Sequence, residues 1–254
     1  MKQIVFMYHD VFIRDMNESG FQTVGAMPYK VCANNFESHV KTVYKYCKDR
    51  GLDTSSIVFT FDDGGESFFT KVAPILEEYG FRGVSFISTK YIGTTGFLTE
   101  CQIKELSVRG HVIGAHSHTH PAFCDAAKMS REELRHEWQT SIDILNNILE
   151  YKINSVSLPN GYSSEFILDI LEELGISNVY TSTPTTHILK RKSLSIIGRY
   201  DVKSKTSLGQ LMSIVNNPFV RIGYQLKNEI LSMAKKILGD SYAIIKRNLL
   251  YKNN

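Results

Sequence analysis

Four residues of this chain are of the right type and spacing to do chemistry: Asp62 and Asp63, in Thr60-Phe61-Asp62-Asp63-Gly64, and His116 and His120, in His116-Ser117-His118-Thr119-His120. Each group follows a short apolar run, Ile57-Val58-Phe59 in one case and Val112-Ile113-Gly114-Ala115 in the other. Two imidazoles four residues apart can point the same way from a helical turn or a tight loop. With one carboxylate they form a two-His, one-Asp donor set that leaves coordination positions open, as a catalytic rather than a structural metal site does. A second carboxylate beside such a metal can act as general base toward a water. Taken singly, Asp-Asp-Gly reads as a turn and the His pair is a weak signal. Their joint occurrence after two strand-like runs reads as a metal-dependent hydrolase.

The elements that must position these groups follow a βαβα pattern, which belongs to a parallel sheet or barrel. Strands are predicted near Ile4–Met7, Ile57–Phe61, Gly83–Ile87, Val112–Ala115, Ser155–Leu158, Asn178–Thr181 and Ile196–Val202. Seven strands with helical crossovers fit a barrel one strand short of eight, or a strongly twisted open sheet. In such barrels reactive groups gather at the C-terminal strand ends, so Asp62-Asp63 and His116 should share one mouth. Between the strands, Phe36, Val40, Val43 and Cys47 form one helical face. Thr99 precedes Ile103 and Leu106, and Ser130 with Glu133 forms a capping box ahead of Leu134, Trp138, Ile142, Leu145 and Leu149. Phe166, Ile170, Leu171 and Leu174 make a further stripe ended by Gly175. Trp138 sits on an apolar stripe and reads as core. Residues 14–30 read as a long loop on the strand 1 side.

Composition narrows the partners. The 254 residues carry a formal charge of +3, too little to point to nucleic acid. That charge is uneven: the segment from Phe219 onward carries +5 and residues 1–218 carry −2. Cys32, Cys47, Cys101 and Cys124 are widely spaced and read as reduced structural thiols of an intracellular protein. Few apolar residues precede Tyr8, too few for a secretory leader, and no stretch approaches the roughly 20 apolar residues of a membrane span. The expected location is cytoplasmic, with the inner face of a membrane as the variant.

The two site motifs resemble the first and second motifs of the NodB-homology polysaccharide deacetylases, carbohydrate esterase family four. Met7-Tyr8-His9-Asp10-Val11, Leu158-Pro159-Asn160-Gly161, Tyr180-Thr181-Ser182 and Gly198-Arg199-Tyr200-Asp201-Val202 add weaker agreement. The resemblance covers about residues 3–202. It implies a distorted (β/α)7 barrel (residues 1–202), a carbohydrate substrate and hydrolysis of an N-acetyl group on a hexosamine. By the same resemblance Asp63, His116 and His120 hold a divalent metal, usually zinc, with cobalt, nickel or manganese as substitutes. Asp62 is then the base toward a metal-held water, and Pro159, Asn160 and Gly161 lie at the substrate, a backbone N–H near Asn160 facing the oxyanion.

Three departures from the family pattern stand out. Ser157 occupies the place of an Arg that orients the base. No Asp-Trp pair walls the acetyl pocket, and no Leu-x-His supplies the general acid near Leu194–Ile197. His187, in the loop after the sixth strand, and His9, at the end of the first, are the candidate replacements for that acid. His118 is expected to point away from the ligand pair. The gaps keep three alternatives open: an O-acetyl esterase, a sugar deformylase, or an inactive glycan-binding module. Residues 203–254 are predicted as a helical extension, with Leu226, Ile230, Met233 and Ile237 on one stripe and Tyr242, Ile245 and Leu249 continuing it after a break at Gly239. The expectation is a hairpin packed on the barrel, or a basic interfacial helix at an anionic lipid surface.

Overall fold

Short runs rich in Ile, Val and Phe form the strands of a mostly parallel sheet, with helices covering its outer face. The computed structural model of the chain describes residues 3–161 and 163–238. Its strands are β1 (Ile4–Tyr8), β2 (Asp10–Phe12), β3 (Lys30–Cys32), β4 (Ile57–Phe61), β5 (Val84–Ile87), β6 (Val112–Ala115), β7 (Ser155–Ser157), β8 (Asn178–Tyr180), β9 (Leu189–Arg191), β10 (Leu194–Ile197) and β11 (Tyr200–Asp201). Nine of these make one sheet in the order β11-β1-β4-β5-β6-β7-β8-β10-β9. All its pairings are parallel except β9 on β10. β2 and β3 pair separately.

The predicted seventh strand is two strands. β10 pairs with β8, and β11 pairs with β1, so the run changes neighbours at Gly198-Arg199. The ring is therefore closed by two residues of chain and not by a continuous hydrogen-bond ladder, which is where the barrel is distorted. Gly198 is needed at this seam because a Cβ there would lie 2.4 Å from the Thr183 carbonyl oxygen and 2.5 Å from Thr185 Cγ2.

The helices are α1 (Ala33–Asp49), α2 (Ala73–Glu78), α3 (Glu100–Val108), α4 (Phe123–Ala126), α5 (Arg131–Leu149), α6 (Glu165–Glu173), α7 (Leu208–Asn216) and α8 (Pro218–Leu238). Thr99 and Ser130 cap α3 and α5 with reciprocal boxes to Gln102 and Glu133, leaving few orphan donors at those ends. The α1 face predicted from spacing is buried, and Trp138 is 2% exposed within the core. The α6 stripe is shifted: Ile167, Leu168, Ile170 and Leu171 are buried, while Phe166 lies on the outside.

The C-terminal extension is divided. α7 buries Leu211, Ile214 and Val215 and packs on α1. α8 joins this layer through Val220 and Tyr224, but the predicted stripe residues Leu226, Ile230 and Met233 are exposed. They are not packed on the barrel. Residues 239–254, which would form the second arm of the hairpin, lie outside the described residues.

Replacing Gly198 by Ala should force the seam apart, since the nearest obstacle is backbone. The expected loss is about 1–3 kcal/mol, the usual cost of overpacking, read as a lower Tm in a thermal melt followed by circular dichroism.

Candidate active site

Parallel register brings the reactive residues level. The Asp62 amide donates to the Tyr8 carbonyl at 3.0 Å and the His116 amide to the Ile87 carbonyl at 2.9 Å. Both residues therefore stand one position past the last paired residue of their strands, at the same rim. Strand alternation would send Asp62 and Asp63 to opposite faces. Asp63 escapes this because its φ of 78° breaks the strand. Ser117 (φ 62°) and His120 (φ 55°) are also left-handed, which is uncommon for non-glycine residues and concentrates at functional sites. The curl they make sets the His116 and His120 rings 5.1 Å apart.

Asp63 Oδ1 lies 3.4 Å from Nε2 of both His116 and His120. His116 Nδ1 is 2.9 Å from the Ser157 carbonyl oxygen. A carbonyl only accepts, so Nδ1 carries a proton and Nε2 faces the cluster. Burial pulls the His116 pKa down, but the Asp62 charge and then the hydrogen bond and charge of Asp63 outweigh it and raise it above the ordinary imidazole value. Burial, then the neighbouring His116, lowers the His120 pKa to about 4, which keeps that ring neutral. Burial raises the Asp63 pKa, but the surrounding imidazoles of His116, His9 and His120 outweigh it and leave the carboxyl below its ordinary value. Asp63 Oδ1 is buried and has no hydrogen-bond partner. One ligand atom from each of the three residues lies within 4.8 Å of the others. A buried carboxylate oxygen facing two imidazole nitrogens is a donor set that fits a cation.

Asp62 belongs to a different arrangement. Arg199 grips it from both sides, Nη1 to Oδ1 at 2.6 Å and Nη2 to Oδ2 at 2.8 Å. Ser157 Oγ accepts from Arg199 Nη2 at 2.7 Å and donates to Asp62 Oδ2 at 3.1 Å. Arg199 spends its remaining donors on Thr60 Oγ1 and the Thr181 carbonyl. Burial pushes the Asp62 carboxyl up, but the Arg199 charge and then His116 overcome this and hold it well below the ordinary carboxylate range. The Arg expected at the position of Ser157 is supplied instead from the seam between β10 and β11. The hydroxyl of Ser157 fills the space between the two partners.

Both carboxylates open into a cavity of about 480 Å3. The 14–30 loop forms one wall, where Phe21 packs on the His120 ring at 5.2 Å and on Tyr91 at 4.8 Å. The loop is anchored from below by Asp10, whose Oδ1 accepts from Ser19 Oγ at 2.7 Å and Ser67 Oγ at 3.0 Å. Lys30 ties in by donating to the Ser19 carbonyl. His9 lines the cavity with its ring 4.4 Å from Tyr29, and its Nδ1 is buried without a partner. Asn160, in a left-handed conformation (φ 54°), and Gly161 also line it, while Pro159 is buried behind them. His187 is exposed and does not line the cavity. Its loop leaves the rim toward β9. His118 points away, with Nδ1 2.9 Å from Thr89 Oγ1. Sequence reasoning assigned no role to Arg199, Phe21, Tyr29 or Tyr91. For Arg199 the signal was a cation in the middle of an otherwise apolar strand.

Residues 49–179, just over half of the chain, match the family model described as polysaccharide deacetylase. The chain belongs to this family. Among relatives, a peptidoglycan-N-acetylglucosamine deacetylase of Bacillus cereus is 24% identical over 152 residues, covering 54% of this chain and 53% of that one. A peptidoglycan-N-acetylmuramic acid deacetylase of Bacillus subtilis is 30% identical over 134 residues, covering 50% and 46%. The chain spans between 46% and 60% of the length of the curated relatives it matches. The solved structure of a Streptococcus pyogenes deacetylase superposes with a TM-score of 0.68 at 20% identity, covering 84% of this chain and 98% of that one. The shared fold is the (β/α)7 barrel of the family's deacetylases.

Arg199→Met should cost about 3–5 kcal/mol, because it strands a buried carboxylate. Adding Asp62→Asn in the same chain should recover part of that loss, measured as a double-mutant cycle in urea unfolding. The sign of the pH effect follows from the lowered Asp62 pKa. The pair's contribution is present above about pH 4, the ordinary carboxylate value, and fades as pH falls through the folded-state value. Unfolding curves of Arg199→Met should therefore be less acid-sensitive than those of the parent.

Proposed function

We propose that this chain is a metal-dependent hydrolase that removes N-acetyl groups from N-acetylhexosamine units of a glycan or a glycan precursor. One observation carries the reading: an ionised Asp62, locked by Arg199, stands beside the Asp63–His116–His120 donor set at the rim of one cavity. Two imidazoles and one carboxylate suit zinc, and the same set accepts cobalt, nickel or manganese. When bound there, a divalent cation supplies Lewis acidity toward a carbonyl oxygen and makes a water easier to deprotonate.

The chain's own residues do the rest. Asp62 takes the proton from the attacking water, and Arg199 keeps that carboxylate ionised and aimed. His9, on the cavity wall, gives a proton to the departing amine, and the exposed His187, which does not line the cavity, is the weaker candidate for that role. Backbone near Asn160 and Gly161 faces the carbonyl oxygen as it gains charge. Phe21, Tyr29 and Tyr91 offer apolar ring faces to a sugar. The relatives' named substrates, N-acetylglucosamine and N-acetylmuramic acid units of peptidoglycan, are N-acylated sugars and agree with this class.

A second reading keeps the site and changes the leaving group. β10 carries no histidine, and an alkoxide leaves with less help from a general acid than an amine does. That favours O-acetyl esters, with formamides also compatible. A glycan-binding module without catalysis is disfavoured by the complete base and donor set.

The test is acetate release from N-acetylglucosamine oligomers and from an O-acetylated sugar, after loading with zinc, cobalt, nickel or manganese in turn. Asp62→Asn is expected to lower kcat by about 10²–10⁴-fold, the usual contribution of a general base. Bound metal should be unchanged in that variant, since the three metal donors stay intact. Asp63→Ala is expected to lose the metal, read by elemental analysis. His9→Ala should depress amide cleavage far more than aryl-ester cleavage, and equal losses would make it a positioning residue. Absence of acetate from both substrate classes with metal bound would end the catalytic reading.

A further inference from the structure

The outer face of α8 is an apolar surface that no part of the described chain covers. Phe219, Ile222, Leu226, Ile230 and Met233 recur at helical spacing and are between 52% and 79% exposed. They make one stripe about 20 Å long at 1.5 Å per residue. The helix is held from its other side. Val220 and Tyr224 pack against the core, the Tyr224 ring meets Tyr200 at 6.0 Å, and Arg221 donates to the Ile214 and Val215 carbonyls at the end of α7. A helix docked by one face cannot also bury the opposite one on the same barrel.

Charge identifies what suits that face. Lys227 and Glu229 are both exposed and offset one another, and the sequence after Met233 adds Lys235, Lys236, Lys246, Arg247 and Lys252 against a single acid, Asp240. The segment from Phe219 onward carries +5 while the rest of the chain carries −2. Two copies joined through this face would bring these basic segments together, and like charges across an interface disfavour such a pair. An anionic lipid surface instead accepts the apolar stripe among its acyl chains and the lysines among its headgroups. Among the described residues no helix is long and apolar enough to cross a membrane, α8 included, so the contact made by this helix is interfacial.

We propose that α8 is a membrane-surface anchor that docks the barrel on anionic phospholipid through Phe219, Ile222, Leu226, Ile230 and Met233. The anchor is independent of which acyl group the site removes. It limits the enzyme to glycans presented at or near that surface.

The full chain is tested by co-sedimentation with vesicles of phosphatidylcholine and phosphatidylglycerol in equal parts, against vesicles of phosphatidylcholine alone. Binding is expected to the mixed vesicles, and to weaken as salt is raised. Leu226→Asp with Ile230→Asp should lower the partition coefficient at least about tenfold, since each removes a large apolar side chain from the contact. Lys227→Glu should lower it about fivefold or more, the scale of one basic residue at an anionic surface. Neither variant touches the site, so acetate release from a soluble substrate and the thermal melt should be unchanged. Equal sedimentation of parent and double variant would overturn the proposal. So would a lipid-free dimer, seen in analytical ultracentrifugation, that the same substitutions dissociate, because it would assign the face to a second copy.

Discussion

The interaction on which the rest of the structure depends is the buried pair of Asp62 and Arg199. A carboxylate removed from water is costly unless it is paired and its remaining lone pairs are met. Here both terminal nitrogens of the guanidinium, together with the Ser157 hydroxyl, meet that demand. The guanidinium is satisfied in turn by Thr60, Ser157 and the Thr181 carbonyl, so neither partner is left with an uncompensated charge. The pair also explains the seam in the barrel. A regular seventh strand would have continued along β8. Breaking it at Gly198 lets Arg199 reach a carboxylate at the end of β4 while β11 closes against β1. Closure of the fold and orientation of the Asp62 carboxylate are one event.

The two adjacent carboxylates have contrasting surroundings. Asp62 is saturated with donors and held by a fixed cation. Asp63, the next residue, has a buried oxygen with none and looks toward two imidazole nitrogens. The difference arises from backbone as much as from side chains, because the positive φ of Asp63 turns it out of the strand pattern. His116 is prepared in the same way. The Ser157 carbonyl accepts from its Nδ1 and turns Nε2 toward Asp63, so one residue of β7 serves both halves of the site: its hydroxyl meets Asp62, its carbonyl His116.

Around this centre the chain adds a cavity wall. The 14–30 loop reaches over the rim with Phe21 and Tyr29, but it is not free to wander. Asp10 beneath it is bonded to Ser19 and Ser67, and a Cβ on Gly20 or Gly65 would fall within about 2 Å of the Asp10 carboxylate. Such a loop can shape a cavity wall without collapsing into it. At the far end of the described chain, α7 completes the core around α1, and α8 keeps one face on the protein and turns the other outward.

Sequence alone determined the alternation of strands and helices, the caps at Thr99 and Ser130, and the residues Asp62, Asp63, His116 and His120 with the strands that carry them. These features are local: period, punctuation and adjacency within a few residues state them. Tertiary structure decided everything that joins distant residues. Arg199 is 137 positions from Asp62, and no local pattern ties the two. The choice of His9 over His187 at the cavity depended on where two loops went after their strands ended. The exposure of Leu226, Ile230 and Met233 could not be read from a stripe that looks the same whether covered or bare. Spacing tells which side chains share a face, whereas closure of the barrel decides what that face meets.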